Sequence, residues 1–127
     1  MVGIDVARDE SGRRRLYDHR TQGPAARKDW RAWMIEAVGR GAGEVRLMSV
    51  DREGTRTGMD TELLAEAEDA VDVPVILEGG AGNVTDVADA MAAGATAVAV
   101  GTMLVFSDNN LIQIKRHLSN KGQRMRL

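Results

Sequence analysis

Two kinds of hydrophobic pattern alternate along the chain. Short, almost continuously apolar segments occupy residues 2–6, 45–50, 73–77 and 97–100, and Arg46 interrupts the second of them. Each is followed by a stretch in which apolar residues recur at helical spacing; these stretches cover residues 30–38, 63–71, 84–92 and 111–118. Continuous apolar runs are typical of parallel strands, so the repeated order of strand and helix predicts four βα units built on a parallel sheet.

The length of 127 residues predicts one α/β domain, residues 1–127. Two architectures fit four βα units. One is a small doubly wound sheet. The other is half of an eight-stranded (βα)8 TIM barrel, whose usual length of about 250 residues is close to twice this chain. Pattern and composition do not choose between them.

One long connection, residues 7–26, separates the first predicted strand from the first predicted helix. Connections of this length in compact domains are usually functional or disordered. The segment fits either a small hairpin, with turns at Gly12 and at residues 23–24, or a mobile basic flap, and we favour the flap over a mere linker. The three consecutive arginines at 13–15 are expected to be solvated rather than to clamp a phosphate.

Composition excludes several function classes. The 17 basic and 19 acidic residues are interspersed and provide no broad basic surface for nucleic acid. The chain has no cysteine and two histidines, His19 and His117, neither with a recognisable partner, so we expect no disulfide, no metal and no cofactor. No apolar run approaches the ~20 residues of a membrane-spanning helix, and the N-terminus does not look like a leader, so the expected location is the cytoplasm.

Candidate chemistry lies at the C-terminal ends of the predicted strands, where ligands gather in parallel α/β folds. Asp5 ends the first strand. A carboxylate there can act as a general acid or base, although from the chain's own residues a loop or capping aspartate is favoured. Residues 79–82 (Gly-Gly-Ala-Gly) open onto a helix with a predicted N-cap at Asn83, and Gly101-Thr102 follows the last strand. Such glycines serve either tight turns or phosphate binding by backbone N–H groups, and the pair of loops favours phosphate.

Several blocks of sequence together resemble one known family. They are Ile4-Asp5-Val6, Gly41-Ala42-Gly43-Glu44-Val45, Ser49-Val50-Asp51-Arg52-Glu53-Gly54-Thr55, Gly58-Met59-Asp60, Val73-Pro74-Val75-Ile76 and Gly79-Gly80-Ala81-Gly82. In this order and spacing they resemble the C-terminal half of the cyclase subunit of imidazole glycerol phosphate synthase, from histidine biosynthesis. The match covers nearly the whole chain. It implies that the chain is a (βα)4 half-barrel.

The resemblance also implies roles for particular residues. Asp5 matches one of the family's two catalytic aspartates, and Glu44 matches a member of the ring of charges through which ammonia enters the barrel. Gly54 and Thr55 match a loop near the substrate. The residues that match a phosphate site are Gly79, Gly80, Ala81, Gly82, Gly101 and Thr102. The implied reaction cleaves a bis-phosphorylated ribonucleotide with ammonia from a glutaminase subunit and yields imidazole glycerol phosphate.

Three positions depart from the family pattern. Met48 stands where a hydroxyl or amide side chain is usual, and Glu53 replaces a shorter aspartate. Glu78 replaces a small residue beside the proposed phosphate loop, where a carboxylate repels the ligand unless it is paired or protonated. These changes leave the histidine-pathway substrate open. Residues 105–110 look more like cyclase homologues that serve sugar amidation in surface-polysaccharide synthesis, which stays an alternative.

Half a barrel is expected to associate, because four strands leave two open edges and one uncovered face. A two-fold homodimer would supply four more strands and bring two copies of Asp5 to one cavity. A complementary N-terminal half-barrel and a glutaminase subunit are the other candidate partners. The isolated chain is either a weakly active cyclase-type enzyme or a self-assembling module that binds a phosphorylated small molecule without turnover. The family's first-strand aspartate is absent, which favours the second.

Overall fold

A computed structural model describes residues 1–26 and 29–125. The strands are β1 (Val2–Arg8), β2 (Arg14–Asp18), β3 (Gly23–Pro24), β4 (Val45–Ser49), β5 (Val75–Glu78) and β6 (Ala97–Ala99). The helices are α1 (Trp30–Gly39), α2 (Thr61–Glu68), α3 (Val84–Ala92), α4 (Thr102–Phe106) and α5 (Leu111–Asn120). The strands form one sheet in the order β3-β2-β1-β4-β5-β6.

The centre of the sheet is parallel, as the sequence predicts. Strands β1, β4, β5 and β6 pair in parallel, and α1, α2 and α3 connect them in turn. Ile4 of β1 pairs with Leu47 of β4, which pairs with Leu77 of β5, so side chains of one parity form a continuous apolar row. The four predicted βα units are therefore confirmed.

The helices pack against one face of this sheet. The strand residues of that face are buried in one core with side chains of α1, α2, α3 and α5, among them Met34, Leu63, Val87 and Leu118. Strand residues of the opposite parity are only partly buried; they include Asp5, Arg46, Met48, Ile76 and Glu78. A doubly wound sheet carries helices on both faces, whereas a barrel carries them only outside. The one-sided packing therefore matches the half-barrel architecture.

The connection at residues 7–26 forms a hairpin, one of the two forms that the sequence allows, and not the mobile flap that we favoured over a linker. Strand β1 continues to Arg8 and pairs antiparallel with β2, and β2 pairs antiparallel with β3. Gly12 forms the first turn with φ +81°, whereas residues 23–24 form β3 itself rather than a turn. Asp51, at the end of β4, accepts a hydrogen bond from the Arg8 backbone N–H at 2.7 Å and ties the hairpin to the sheet.

The arginines of this hairpin are not all solvated. Because β2 belongs to the sheet, Arg14 faces the helices, and only 11% of its side chain is exposed. It pairs with Asp60, the N-cap of α2, at 2.9 Å and also with Glu66. Arg14 therefore fastens the hairpin to α2, a long-range contact that the run of three arginines did not indicate.

Within the described ranges, no helix is long and apolar enough to cross a membrane.

Candidate functional site

A small cavity lies at the C-terminal edge of the parallel strands. Its volume is about 70 Å³, and its lining residues are Glu53, Gly54, Glu78, Gly79, Gly80, Ala81, Ala99, Val100, Gly101 and Thr102. A single water needs roughly 10–15 Å³, so the space suits a larger group. The structure thus brings together six of the residues that the resemblance implies near substrate or phosphate: Gly54, Gly79, Gly80, Ala81, Gly101 and Thr102.

Two glycines of the cavity are required by close backbone packing. A Cβ on Gly79 would lie 2.6 Å from the Ser49 carbonyl oxygen, and one on Gly80 would lie 2.1 Å from the Gly58 carbonyl oxygen. Both also have positive φ angles, +101° and +93°. Gly101 is different, because a Cβ there would meet nothing within 4 Å. Close backbone packing therefore explains why Gly79 and Gly80 are glycines, whereas the space beside Gly101 at the cavity is open.

Gly82 and Thr55 lie outside this cavity. The Gly82 N–H donates to the Asp86 carboxylate at 2.8 Å, in the capping box that opens α3 at Asn83. The Thr55 hydroxyl donates to the Arg52 carbonyl oxygen at 2.7 Å. The Asp86 carboxylate therefore accepts the N–H groups of Gly82 and Asn83, and the Asn83 side chain accepts the first N–H groups of α3, so the helix N-terminus is occupied by the chain's own side chains.

A row of charged side chains crosses the open face of the sheet from the hairpin to the cavity. Asp5 on β1 contacts His19 Nε2 through Oδ2 at 2.7 Å and Arg46 Nη2 through Oδ1 at 3.5 Å. Arg46 Nη1 lies 3.2 Å from Oε2 of Glu78, which itself lines the cavity. His19 thus has a partner that its sequence neighbours did not reveal, because β2 returns alongside β1.

The Arg46 side chain lies against a glycine of the neighbouring strand. Gly3 pairs with Arg46 in register, and a Cβ on Gly3 would approach Arg46 Nη2 to 3.3 Å. The Asp5 Oδ1 and Glu78 Oε2 atoms are buried and make no hydrogen bond, so charge alone links them to the guanidinium. The Glu78 carboxylate beside the glycine loop is therefore paired with Arg46. Pairing is one of the two conditions under which this carboxylate does not repel a phosphate.

Glu44 lies at the opposite edge of the sheet. It immediately precedes β4, its side chain is exposed, and its carbonyl oxygen accepts the Val2 N–H at 3.0 Å. This is the N-terminal edge, where the resemblance implies the ring of charges. Among residues 1–26 and 29–125, no group of three or more His, Cys, Asp or Glu side chains is arranged to hold a metal ion.

Comparison with known proteins agrees with this geometry. A family model described as histidine biosynthesis protein matches residues 1–110. The chain belongs to this family. Three curated relatives are named imidazole glycerol phosphate synthase subunit HisF, and the resemblance drawn from the sequence is confirmed.

The relatives within the histidine biosynthesis family are longer than this chain. The Halalkalibacterium halodurans protein is 38% identical, covering 99% of this chain and 50% of that protein. The Dehalococcoides mccartyi protein is 37% identical over 100% of this chain and 50% of that protein. The Pyrobaculum aerophilum protein is 42% identical over 75% and 38% of the two chains. The chain spans about half the length of the first two.

A solved structure shares the fold. The crystal structure of the Amycolatopsis orientalis BexX/CysO complex contains a chain that superposes with a TM-score of 0.57 at 27% sequence identity. The match covers 71% of this chain and 38% of that one.

Proposed function

We propose that this chain is a cyclase-type half-barrel that binds the phosphate group of a phosphorylated small molecule. The single observation that carries the proposal is the cavity between the loops after β4, β5 and β6, where Gly79, Gly80, Gly101 and Thr102 converge. Loops of this kind after the last two strands of a barrel commonly bind phosphate. Kinship with HisF supports the same reading.

Asp5 is the proposed acid/base group. It lies at the same edge of the sheet as the cavity, and its hydrogen bond to His19 provides a partner with which a proton can be exchanged. The chain carries one of the two aspartates that its family uses. Full turnover therefore depends on four further strands, from a second copy or a complementary half-barrel, and the isolated chain is weakly active or inactive. Ammonia would come from a glutaminase subunit.

The phosphate site is tested by titrating inorganic phosphate while amide NMR signals are recorded. In the wild type, the signals of Gly80, Gly101 and Thr102 should move with one midpoint. Thr102→Val removes one hydroxyl at the cavity and should weaken binding about tenfold, the value of one hydrogen bond to an anion. Gly101→Asp adds a carboxylate where a Cβ meets nothing, so it should fold and abolish binding.

Thr96→Val is the matched control for the Thr102 variant. Thr96 is exposed and precedes β6, at the opposite edge of the sheet, so its replacement should leave phosphate binding unchanged. Equal binding by wild type, Thr102→Val and Gly101→Asp would refute the assignment of the cavity.

The contacts of the Asp5 carboxylate favour a second function, in which the chain does not catalyse a reaction. Both of its carboxylate oxygens face a charged or titratable partner, His19 or Arg46, so the side chain is already engaged. The chain would then be a self-assembling module that binds phosphate without turnover. Ammonia-dependent turnover of the phosphorylated ribonucleotide, measured with and without the complementary half, separates the functions. Turnover that Asp5→Asn abolishes supports the enzyme.

A further inference from the structure

A second concave surface lies towards the other end of the sheet from the glycine loops, between β2, the start of α1 and α2. Its volume is about 490 Å³, which falls within the roughly 300–1,000 Å³ of small-molecule sites. We call it the arginine cleft, because five arginines are among its lining residues: Arg8, Arg13, Arg14, Arg15 and Arg31. The described residues that line it include none of those that line the glycine-loop cavity. Like charges gathered on one concave surface repel one another, so the cleft favours an anion between them.

Two carboxylates also line the arginine cleft, and both already have partners. Glu66 on α2 contacts Arg14 through one oxygen and Arg31 through the other. Asp29 is the N-cap of α1, and its side chain accepts the N–H groups of Arg31 and Ala32, each at 3.0 Å. These carboxylates therefore hold two of the five arginines and the start of α1 in place, and within the described residues they form no ion pair with the other three arginines.

The guanidinium groups of the other three arginines have long ion pairs or none. Arg8 Nη2 lies 3.8 Å from the exposed carboxylate of Glu62. Arg15 Nη1 lies 3.5 Å from Asp9. The Arg13 side chain is exposed and makes no hydrogen bond or ion pair with the part of the chain that the structure describes. Ion pairs that water reaches contribute little, so these three cations keep most of their capacity to bind an added anion.

The tight turn that precedes β2 fixes the backbone that carries Arg13. Its backbone N–H donates to the Asp9 carboxylate at 3.1 Å, and the Asp9 N–H donates to the Arg13 carbonyl oxygen at 2.9 Å. Arg8 Nη1 donates to the Gly12 carbonyl oxygen on the same turn at 2.9 Å. A ligand therefore does not have to order this turn when it binds, and that lowers the entropic cost of binding.

We propose that the arginine cleft binds a small molecule through a diphosphate group. A guanidinium donates paired N–H groups in the geometry that phosphate oxygens accept, and three guanidiniums with spare donors match an anion that carries more than one charge. Trp30, the aromatic residue among the described lining residues, is 3% exposed, so charge rather than ring stacking is the basis of recognition. The arginines at residues 13–15 were expected to be solvated, and only the fold brings Arg8 and Arg31 beside them.

Calorimetric titration with pyrophosphate tests this site. The wild type should bind pyrophosphate more tightly than it binds inorganic phosphate, because one phosphate group engages fewer of the guanidiniums. Arg13→Gln removes a guanidinium that makes no contact within the described chain, so the variant should fold. It should bind pyrophosphate about tenfold more weakly, the value of one hydrogen bond to a charged group.

Arg20→Gln is the matched control for Arg13→Gln. Arg20 lies in the same hairpin, outside the described lining of the arginine cleft, and pairs with Asp18 at 3.0 Å, where its side chain is 89% exposed. The control removes the same charge and should leave the affinity for pyrophosphate unchanged. A second control is Gly101→Asp, which blocks the glycine-loop cavity and should also leave this affinity unchanged.

Two further ligands identify the source of the anion. ADP carries the same diphosphate group on a nucleoside, and binding that Arg13→Gln weakens supports the proposal for ADP as it does for pyrophosphate. The tighter of the two shows whether the nucleoside contributes. A short polyglutamate peptide that binds as tightly as pyrophosphate assigns the cleft to an acidic polypeptide and overturns the proposal.

Three other results overturn it. The first is the absence of pyrophosphate binding by the wild type. The second is an equal loss of affinity in Arg13→Gln and Arg20→Gln, which means that overall charge and not the cleft attracts the anion. The third is a loss of affinity in Gly101→Asp, which places pyrophosphate in the glycine-loop cavity. The phosphate site of the proposed function is measured with a different ligand and different variants, so either site can fail while the other stands.

Discussion

Replacement of Arg46 by methionine probes the charged row on the open face of the sheet. The guanidinium lies 3.5 Å from Asp5 and 3.2 Å from Glu78, and His19, beside Asp5, is the other basic side chain that contacts these carboxylates within the part of the chain that the structure describes. The Arg46→Met chain keeps the length of the side chain but loses its charge. Two partly buried carboxylates then face each other without a cation between them.

The expected cost follows from how far these groups are buried. The side chains of Asp5, Glu78 and Arg46 are 16%, 23% and 36% exposed. Exposed ion pairs are worth about 0–1 kcal/mol, and breaking a fully buried pair costs about 3–5 kcal/mol. We therefore expect Arg46→Met to lower the free energy of unfolding by about 2 kcal/mol. For a domain of this size the melting midpoint should fall by roughly 6–12 °C.

The assay is urea and thermal unfolding at one fixed protein concentration, with a double-mutant cycle. Glu78→Gln in the Arg46→Met background should recover about 1 kcal/mol of the free energy of unfolding, since it removes one of the two carboxylate charges that no longer have Arg46 as a partner. Arg40→Met is the matched control: Arg40 pairs with Glu36 at 2.8 Å on the surface of α1, where its side chain is 78% exposed. That variant should cost less than about 0.5 kcal/mol. If Arg46→Met costs no more than Arg40→Met, burial does not strengthen the row and the reasoning is wrong.

Two further predictions concern the glycine loop and the hairpin turn. Gly79→Ala should destabilise the fold by about 2 kcal/mol or more, because its Cβ would lie 2.6 Å from the Ser49 carbonyl oxygen at φ +101°, whereas Gly101→Ala should be neutral in urea unfolding. In the hairpin, the hydrogen bond from the Ser11 hydroxyl, with those from the Ser11 and Arg13 backbone N–H groups, lowers the pKa of Asp9. Because the pKa is lowered, the ionised Asp9 stabilises the folded chain. This stabilisation is complete above the unfolded pKa of about 3.9 and is lost as the pH falls through the lower pKa of the folded chain. The Ser11 amide NMR signal should shift in that acidic range, and in Asp9→Asn it should not.

Much of the local structure was determined by the sequence alone. The apolar runs and the helical spacing located the four parallel strands and their helices, because burial on a strand or on a helix face leaves a period in the residues themselves. Asn83 was recognised as an N-cap, and its side chain does accept the Thr85 and Asp86 N–H groups. The glycine loops were also recognisable, because positive φ angles and close backbone approach restrict those positions to glycine.

Pairings between distant residues were decided only by the tertiary structure. The sequence allows either a hairpin or a flap at residues 7–26, and the hairpin forms because β1 continues to Arg8 and provides an edge for β2. That pairing then sets His19 beside Asp5, and the register of β4 sets Arg46 between Asp5 and Glu78. Local patterns report which face of an element is buried. Which charges meet across strands depends on sheet order and register, and these are properties of the assembled sheet that no single segment encodes.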